Sequence, residues 1–169
     1  MPKADQARCQ LANMIQQHCG IAVLPEELQA VSAGASGRTI MRAAGVLGIH
    51  WTDQRADNHS FLPAAHGLAQ AGIRVPAILA EASLPGNCGA CLVQDLGKTD
   101  ILSLREAPWP ERRHAYAQSF RTLLPLYQLT PGWPLQPPFD AALYRWEQEY
   151  FAEHLLGRHL GGDAAAFLA

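Results

Sequence analysis

Lysine is nearly missing from this chain: only Lys3 and Lys98 occur in 169 residues, and arginine supplies the rest of the positive charge. Chemistry that relies on a flexible ammonium as a point charge is therefore without its residue between those two positions. Charge of either sign is also thin, at 17% of residues with a net −2 at pH 7, against about a quarter in average domains. That balance gives no general attraction for a polyanion, so nucleic acid is not an expected partner. No apolar run reaches the roughly 18 residues that a membrane helix needs, so no membrane is expected either. The polar start, Met1 to Gln6, is followed by no apolar leader core, which argues against secretion. Four cysteines read as reduced thiols, and a cytoplasmic location is the expectation. The length allows one domain, or one domain and a short extension. Neither internal repeats nor low-complexity segments are present.

What stands out among the residues present is Ser32-Ala33-Gly34-Ala35-Ser36-Gly37-Arg38-Thr39-Ile40-Met41-Arg42. Two glycines and small neighbours make a tight loop, and glycine lets a backbone come close to a ligand. Such loops can turn amide N–H groups toward phosphate oxygens. Taken alone, the same stretch also reads as a plain hairpin turn.

Patterning around it predicts a sequence of elements. Residues 7–18 carry Leu11, Met14 and Ile15 at helical spacing, with Gly20 as a stop. Leu28 to Ala33, Arg38 to Ala43 and Val46 to Trp51 read as three short antiparallel strands, with Ala44-Gly45 as a turn. Ser60 is placed to cap a helix to about Gln70, with Phe61, Ala65, Leu68 and Ala69 inward, Pro63 tolerated in the first turn and Gly72 ending it. Arg74 to Ala80 and Ala90 to Asp95 read as a fourth and fifth strand around a turn from Ser83 to Gly89. After Leu96-Gly97-Lys98-Thr99 the pattern turns helical. Glu111 to Gln128 presents Tyr116, Phe120, Leu123, Leu124 and Tyr127 on one face, shortened or kinked at Pro125. Thr130 to Pro138 holds four prolines and is irregular; Asp140 precedes a last helix with Leu143, Trp146, Tyr150 and Phe151 inward, closed by Gly161-Gly162-Asp163 before a short apolar tail. The fold class that follows is α+β, a five-stranded antiparallel sheet with packed helices.

Other signals have plainer readings. Cys88-Gly89-Ala90-Cys91 lies between two strands and reads as a turn with two small residues, and Cys9 and Cys19 are too far apart to complete a four-ligand zinc site. The seven histidines show no metal-ligand spacing, so no metal ligand is assigned. Trp146, Tyr150 and Phe151 read as core, or as a face left partly bare for a partner.

Four stretches in order carry a family likeness: Gly34 to Arg42, Asp57-Asn58-His59-Ser60-Phe61, Ala71-Gly72-Ile73-Arg74-Val75-Pro76-Ala77-Ile78-Leu79-Ala80, and Leu92-Val93-Gln94-Asp95-Leu96-Gly97. Together they resemble the aminoglycoside phosphotransferase and choline kinase-like superfamily, nearest its bacterial sugar-kinase branch. The resemblance implies a protein-kinase-like N-terminal lobe over residues 1–97, then a hinge and a helical segment over 98–169 similar to the start of the second lobe. It implies ATP and magnesium as cofactors. Phosphate contact would come from Gly34, Ala35, Ser36, Gly37 and Arg38, and adenine would lie beside Gln94, Asp95 and Leu96. Asp57 would be the acidic residue leading into the lobe helix. Arg42 or His50 would be the nearest replacements for the phosphate-contacting lysine that this chain lacks.

The departures bear on activity. Kinases of this kind place a catalytic-loop aspartate on the substrate hydroxyl and a second aspartate on magnesium. No histidine here is followed two residues later by aspartate, and the chain ends before those positions, so no catalytic residue is assigned. The expectation is a nucleotide-binding lobe that does not turn over by itself. The alternative is a degenerate, non-enzymatic lobe that binds a second polypeptide, or itself, through the helix over 139–159.

Overall fold

A computed structural model of the chain describes residues 3–31, 37–133, 135 and 139–168. They fall into two compact units, Met1–Leu135 and Gln136–Ala169. The first unit is α+β. Helix α1 (Lys3–Cys19) precedes a five-stranded antiparallel sheet of β1 (Gln29–Ala30), β2 (Thr39–Ala43), β3 (Val46–Trp51), β4 (Ile78–Leu84) and β5 (Cys88–Gln94), in the order β1-β2-β3-β5-β4. Helix α2 (Phe61–Gln70) links β3 to β4, and α3 (Trp109–Leu123) follows the sheet.

Local chemistry accounts for most boundaries. Helix α1 stops at Gly20, whose φ of +69° suits glycine and whose N–H still reaches the Gln16 carbonyl at 3.0 Å. The β2–β3 turn has positive φ at both Ala44 and Gly45, 50° and 76°, the hand that matches strand twist in a two-residue hairpin. Helix α2 ends in a Schellman arrangement: the Gly72 N–H donates to the Ala69 carbonyl and the Ile73 N–H to that of Leu68. Pro63 is its third residue, where no intrahelical donor is needed.

Several expectations shift. β4 begins at Ile78 rather than Arg74, because Pro76 has no N–H to give to a ladder. Both β4 and β5 run further toward their connection than the turn from Ser83 predicts, since Gly86 and Asn87 take positive φ and reverse the chain in three residues. The strand expected over Leu28 to Ala33 is assigned only at Gln29–Ala30, although the Val31 N–H still reaches the Ile40 carbonyl at 2.9 Å; its last two residues lie outside the described residues. In α2, Leu62 packs inward beside Phe61, and Ala69 is exposed.

The sheet is covered on both faces. On one, Leu11 and Ile15 of α1 are fully buried against Leu28, Met41, Val46, Ala90 and Leu92. Gly48 makes that seat possible: a β-carbon there would lie 2.9 Å from a Leu11 methyl. On the other face Ile49, Trp51, Cys91 and Val93 pack with Phe61 and Leu62 of α2 and with Ile78. Trp133, from the proline-rich segment, lies over Gly67 of α2, and a β-carbon there would collide with it. Strand alternation therefore sorts the residues of β2, β3 and β5 to an α1 face or an α2 face, while the irregularity in β4 leaves Leu79 and Ala80 both packed on the α1 side.

Helix α3 departs from its predicted role. It gives way to a 3-10 turn at Leu124–Gln128 as Pro125 requires, but its apolar stripe is not buried: Phe120 is 64% and Tyr127 89% exposed. In the second unit α4 (Ala141–Phe151) is capped by Asp140, whose carboxylate accepts from the Leu143 N–H at 2.8 Å. A π-helical stretch, Ala152–His159, continues it, and the apolar tail forms α5 (Ala164–Leu168) started by Asp163. Phe151 meets Phe167 at 5.5 Å between ring centres and Ala152 is fully buried, yet Trp146 and Tyr150 stay about half exposed. Among the described residues no helix is long and apolar enough to cross a membrane.

Candidate functional site

The α2 face of the sheet brings together Arg38, Arg42 and Asp95 of the residues that the sequence singles out, whereas Gln94, opposite Val46, falls on the α1 side. Arg38, just before β2, Ile40 and Arg42 alternate with Met41, which points into the α1 core. Arg38 and Arg42 are four residues apart, about 13 Å along an extended chain. Ile40 lies between them and Leu47, on β3, stands opposite Arg42; both are only partly covered, so an apolar strip runs beside the two guanidinium groups.

The two arginines are held differently. Arg42 meets Asp95 through two hydrogen bonds, Nε to Oδ2 at 2.6 Å and Nη2 to Oδ1 at 3.0 Å, and its Nη2 also donates to the Gly97 carbonyl at 2.7 Å. The Asp95 Oδ1 accepts the Gly97 N–H at 2.9 Å as well. Those donors hold the Asp95 carboxyl below its ordinary range, and the carboxylate raises the Arg42 pKa in turn. This pair fastens β2 to the chain leaving β5. Arg38 instead donates Nε to the Asn58 Oδ1 at 2.9 Å, and its guanidinium lies 4.6 Å from the centre of the Phe61 ring. Asn58 is 1% exposed and is itself tied to the Thr52 carbonyl at 3.2 Å.

Asp57 sits beside this group but pairs with Arg55, at 3.0 and 2.9 Å. The Arg55 hydrogen bonds, opposed by partial burial and helped by the charges of Arg55 and Arg38, lower its pKa. At the other end the Gln94 N–H is engaged by the Ala77 carbonyl at 2.9 Å. Leu96 is 66% exposed, and its backbone N–H and carbonyl have no partner among the described residues. Gly37 has φ +66°, a conformation that suits glycine at the foot of the loop. Gly34, Ala35 and Ser36 lie outside the described residues.

His50 is not part of this group. Its place on β3 turns it to the α1 face, into a cavity of about 210 Å³ shared with Gln6, Gln10, Thr52, Asp53 and Cys88. Burial there pushes its pKa below the usual imidazole value. The thiols are likewise separated. Cys88 and Cys91 both lie on β5, three residues and so roughly 10 Å apart, beyond the reach of a disulfide. Cys91 is fully buried among apolar neighbours, which lifts its pKa to about 12. The turn expected at this C-x-x-C is strand, and three residues along a strand also reverse the face.

Sequence reasoning passed over Asn58 and Phe61 as functional side chains and took Asp57 instead. Their spacing of three across the start of α2 was the available signal, since it sets both toward one arginine.

The residues present suit part of what the family likeness implies. A half-covered apolar strip, an arginine whose Nη groups have no partner among the described residues and an exposed Leu96 peptide are groups that a nucleotide can use. Magnesium fares differently: among the described residues no cluster of three or more His, Cys, Asp or Glu side chains converges, and Asp57 and Asp95 are both committed to arginines. No protein-family model, curated protein or solved structure matches the chain.

Proposed function

We propose that this chain is the nucleotide-binding lobe of an ATP-dependent phosphotransferase acting on a small sugar-like or aminoglycoside-like acceptor, and that it binds nucleotide without transferring phosphate by itself. The observation that carries this reading is the α2 face, where the partly covered Ile40–Leu47 strip runs between the Leu96 peptide and the Arg38 guanidinium. A purine laid on that strip would lose apolar surface to the protein and meet the Leu96 backbone at its polar edge, and the phosphates would extend toward Arg38. The order of helix, three strands, helix, two strands and a fastened exit supports the same family likeness. The 169 residues contain no His-x-Asp sequence to orient an acceptor hydroxyl, which supports binding without turnover. Calorimetric titration with ATP, with ADP and with adenosine, each with and without magnesium, tests it. Saturable heat with ATP and ADP is expected, and no heat at millimolar nucleotide refutes it.

A second reading, a non-enzymatic lobe that associates with another polypeptide or with its own copy, is favoured by one observation. In the second unit Trp146, Tyr150 and Phe151 are each more than 40% exposed along α4, and contiguous exposed aromatic surface commonly marks an interface. Sedimentation analysis separates the readings. A concentration-dependent dimer abolished by Trp146→Ser, in a chain that binds no nucleotide, would favour the second.

A further inference from the structure

We propose that the guanidinium of Arg38, held by Asn58 and Phe61, is the phosphate-binding cation of this lobe and takes the part of the absent strand lysine. The inference rests on the nucleotide reading above and assigns the phosphate end of that same site. Three groups compete for the role, and their surroundings separate them. His50 lies on the α1 face, in a cavity on the wrong side of the sheet. Arg42 is on the correct face, but a carboxylate covers its fork and a carbonyl takes a further donor. Arg38 is held by an amide oxygen, which orients the group and leaves its charge in place.

A guanidinium carries five N–H donors. Only Nε of Arg38 is engaged, and neither Nη has a hydrogen-bond partner among the described residues. The ring of Phe61 supports the plane from one side. Asn58 cannot easily turn away, because it is buried and its own N–H₂ is tied to Thr52. The result is a pre-set pair of N–H₂ groups, a geometry that matches two oxygens of one phosphate. Local charge points the same way. Asp57, the carboxylate beside Arg38, is chelated by Arg55 and does not cover the Arg38 guanidinium. Asn58 acts on a ligand only through Arg38 and is a positioning residue.

The test titrates adenosine, ADP and inorganic tripolyphosphate into the full chain and into Arg38→Gln, Arg38→Lys and Asn58→Asp, with circular dichroism and melting to verify that each variant folds. Asn58→Asp keeps the size of the holding residue but places a carboxylate on Arg38. Adenosine affinity is expected to stay the same in all four proteins. ADP affinity is expected to fall about tenfold to a hundredfold in Arg38→Gln, with loss of tripolyphosphate binding. Arg38→Lys should recover part of it, and Asn58→Asp should resemble Arg38→Gln. Added salt should weaken ADP binding to the unmodified chain more than to Arg38→Gln. An unchanged ratio of ADP to adenosine affinity in folded Arg38→Gln overturns the assignment and leaves the nucleotide reading standing. Arg38-dependent binding of tripolyphosphate with no preference for ADP keeps the anion site and overturns the nucleotide reading. No binding of any of the three by the unmodified chain overturns both.

Discussion

The seat of α1 on the sheet can be probed from both sides of one contact. Leu11 is fully buried, and a β-carbon on Gly48 would lie 2.9, 3.2 and 3.3 Å from its Cδ2, Cδ1 and Cγ. Leu11→Ala removes the atoms that fill this seat and should cost about 3–5 kcal/mol. Gly48→Ala adds a methyl where there is no room and should cost about 1–3 kcal/mol. In the double variant the three clashing atoms are gone, and the new methyl occupies part of the vacated space. Its cost there should fall to near zero, so the cycle should show a coupling of about 1 kcal/mol or more. Urea unfolding followed by far-UV circular dichroism measures it, and a melting shift of about 2–4 °C per kcal/mol gives a parallel reading. Equal cost of Gly48→Ala in both backgrounds would refute the contact. With it would go the seat of α1 on this face of the sheet.

Three further outcomes follow from the same geometry. Burial depresses the His50 pKa below its unfolded value of about 6.5, so the unfolded chain binds the extra proton first. The stabilisation is present above pH 6.5 and is lost as pH falls toward the folded pKa. Chemical denaturation at pH 7.5 and 5.5 should therefore show a smaller stability difference in His50→Gln than in the unmodified chain. Asp53 and Cys88 share its cavity and are the nearby titratable groups. Thiol labelling of the native chain should modify the half-buried Cys9, Cys19 and Cys88 and spare Cys91 until unfolding; an 88–91 disulfide detected by mass spectrometry would contradict the strand geometry. Asp95→Asn should speed hydrogen exchange at the Gly97 amide, whose present acceptor is the Asp95 carboxylate. An unchanged rate would mean that the Arg42–Asp95 pair does not fasten the exit from β5.

The chain's helices and hairpins were readable because short-range chemistry decides them. The Leu11–Ile15 stripe, the Ala44-Gly45 turn, the Gly72 stop, Pro125 and the Asp140 cap each act within a few residues. β3 occupies the span that its apolar pattern predicts. Errors gathered where a boundary depends on a distant partner. The start of β4 depends on which N–H groups β5 can reach, and the inward face of α3 depends on a neighbour that the helix does not meet.

The candidate site divides in the same way. Sequence alone determined an α+β chain nearly free of lysine, with a small-residue loop ahead of two arginines and a polar exit after the fifth strand. Only the tertiary structure decided which charges cancel. Asp95 lies 53 residues from Arg42 and neutralises it, whereas Asn58 lies 20 residues from Arg38 and leaves it charged. Strand parity then sent His50 to one face and both arginines to the other. Pairing between distant residues and the choice of face are set by how strands register and which helix covers them, and no local pattern in the chain encodes either.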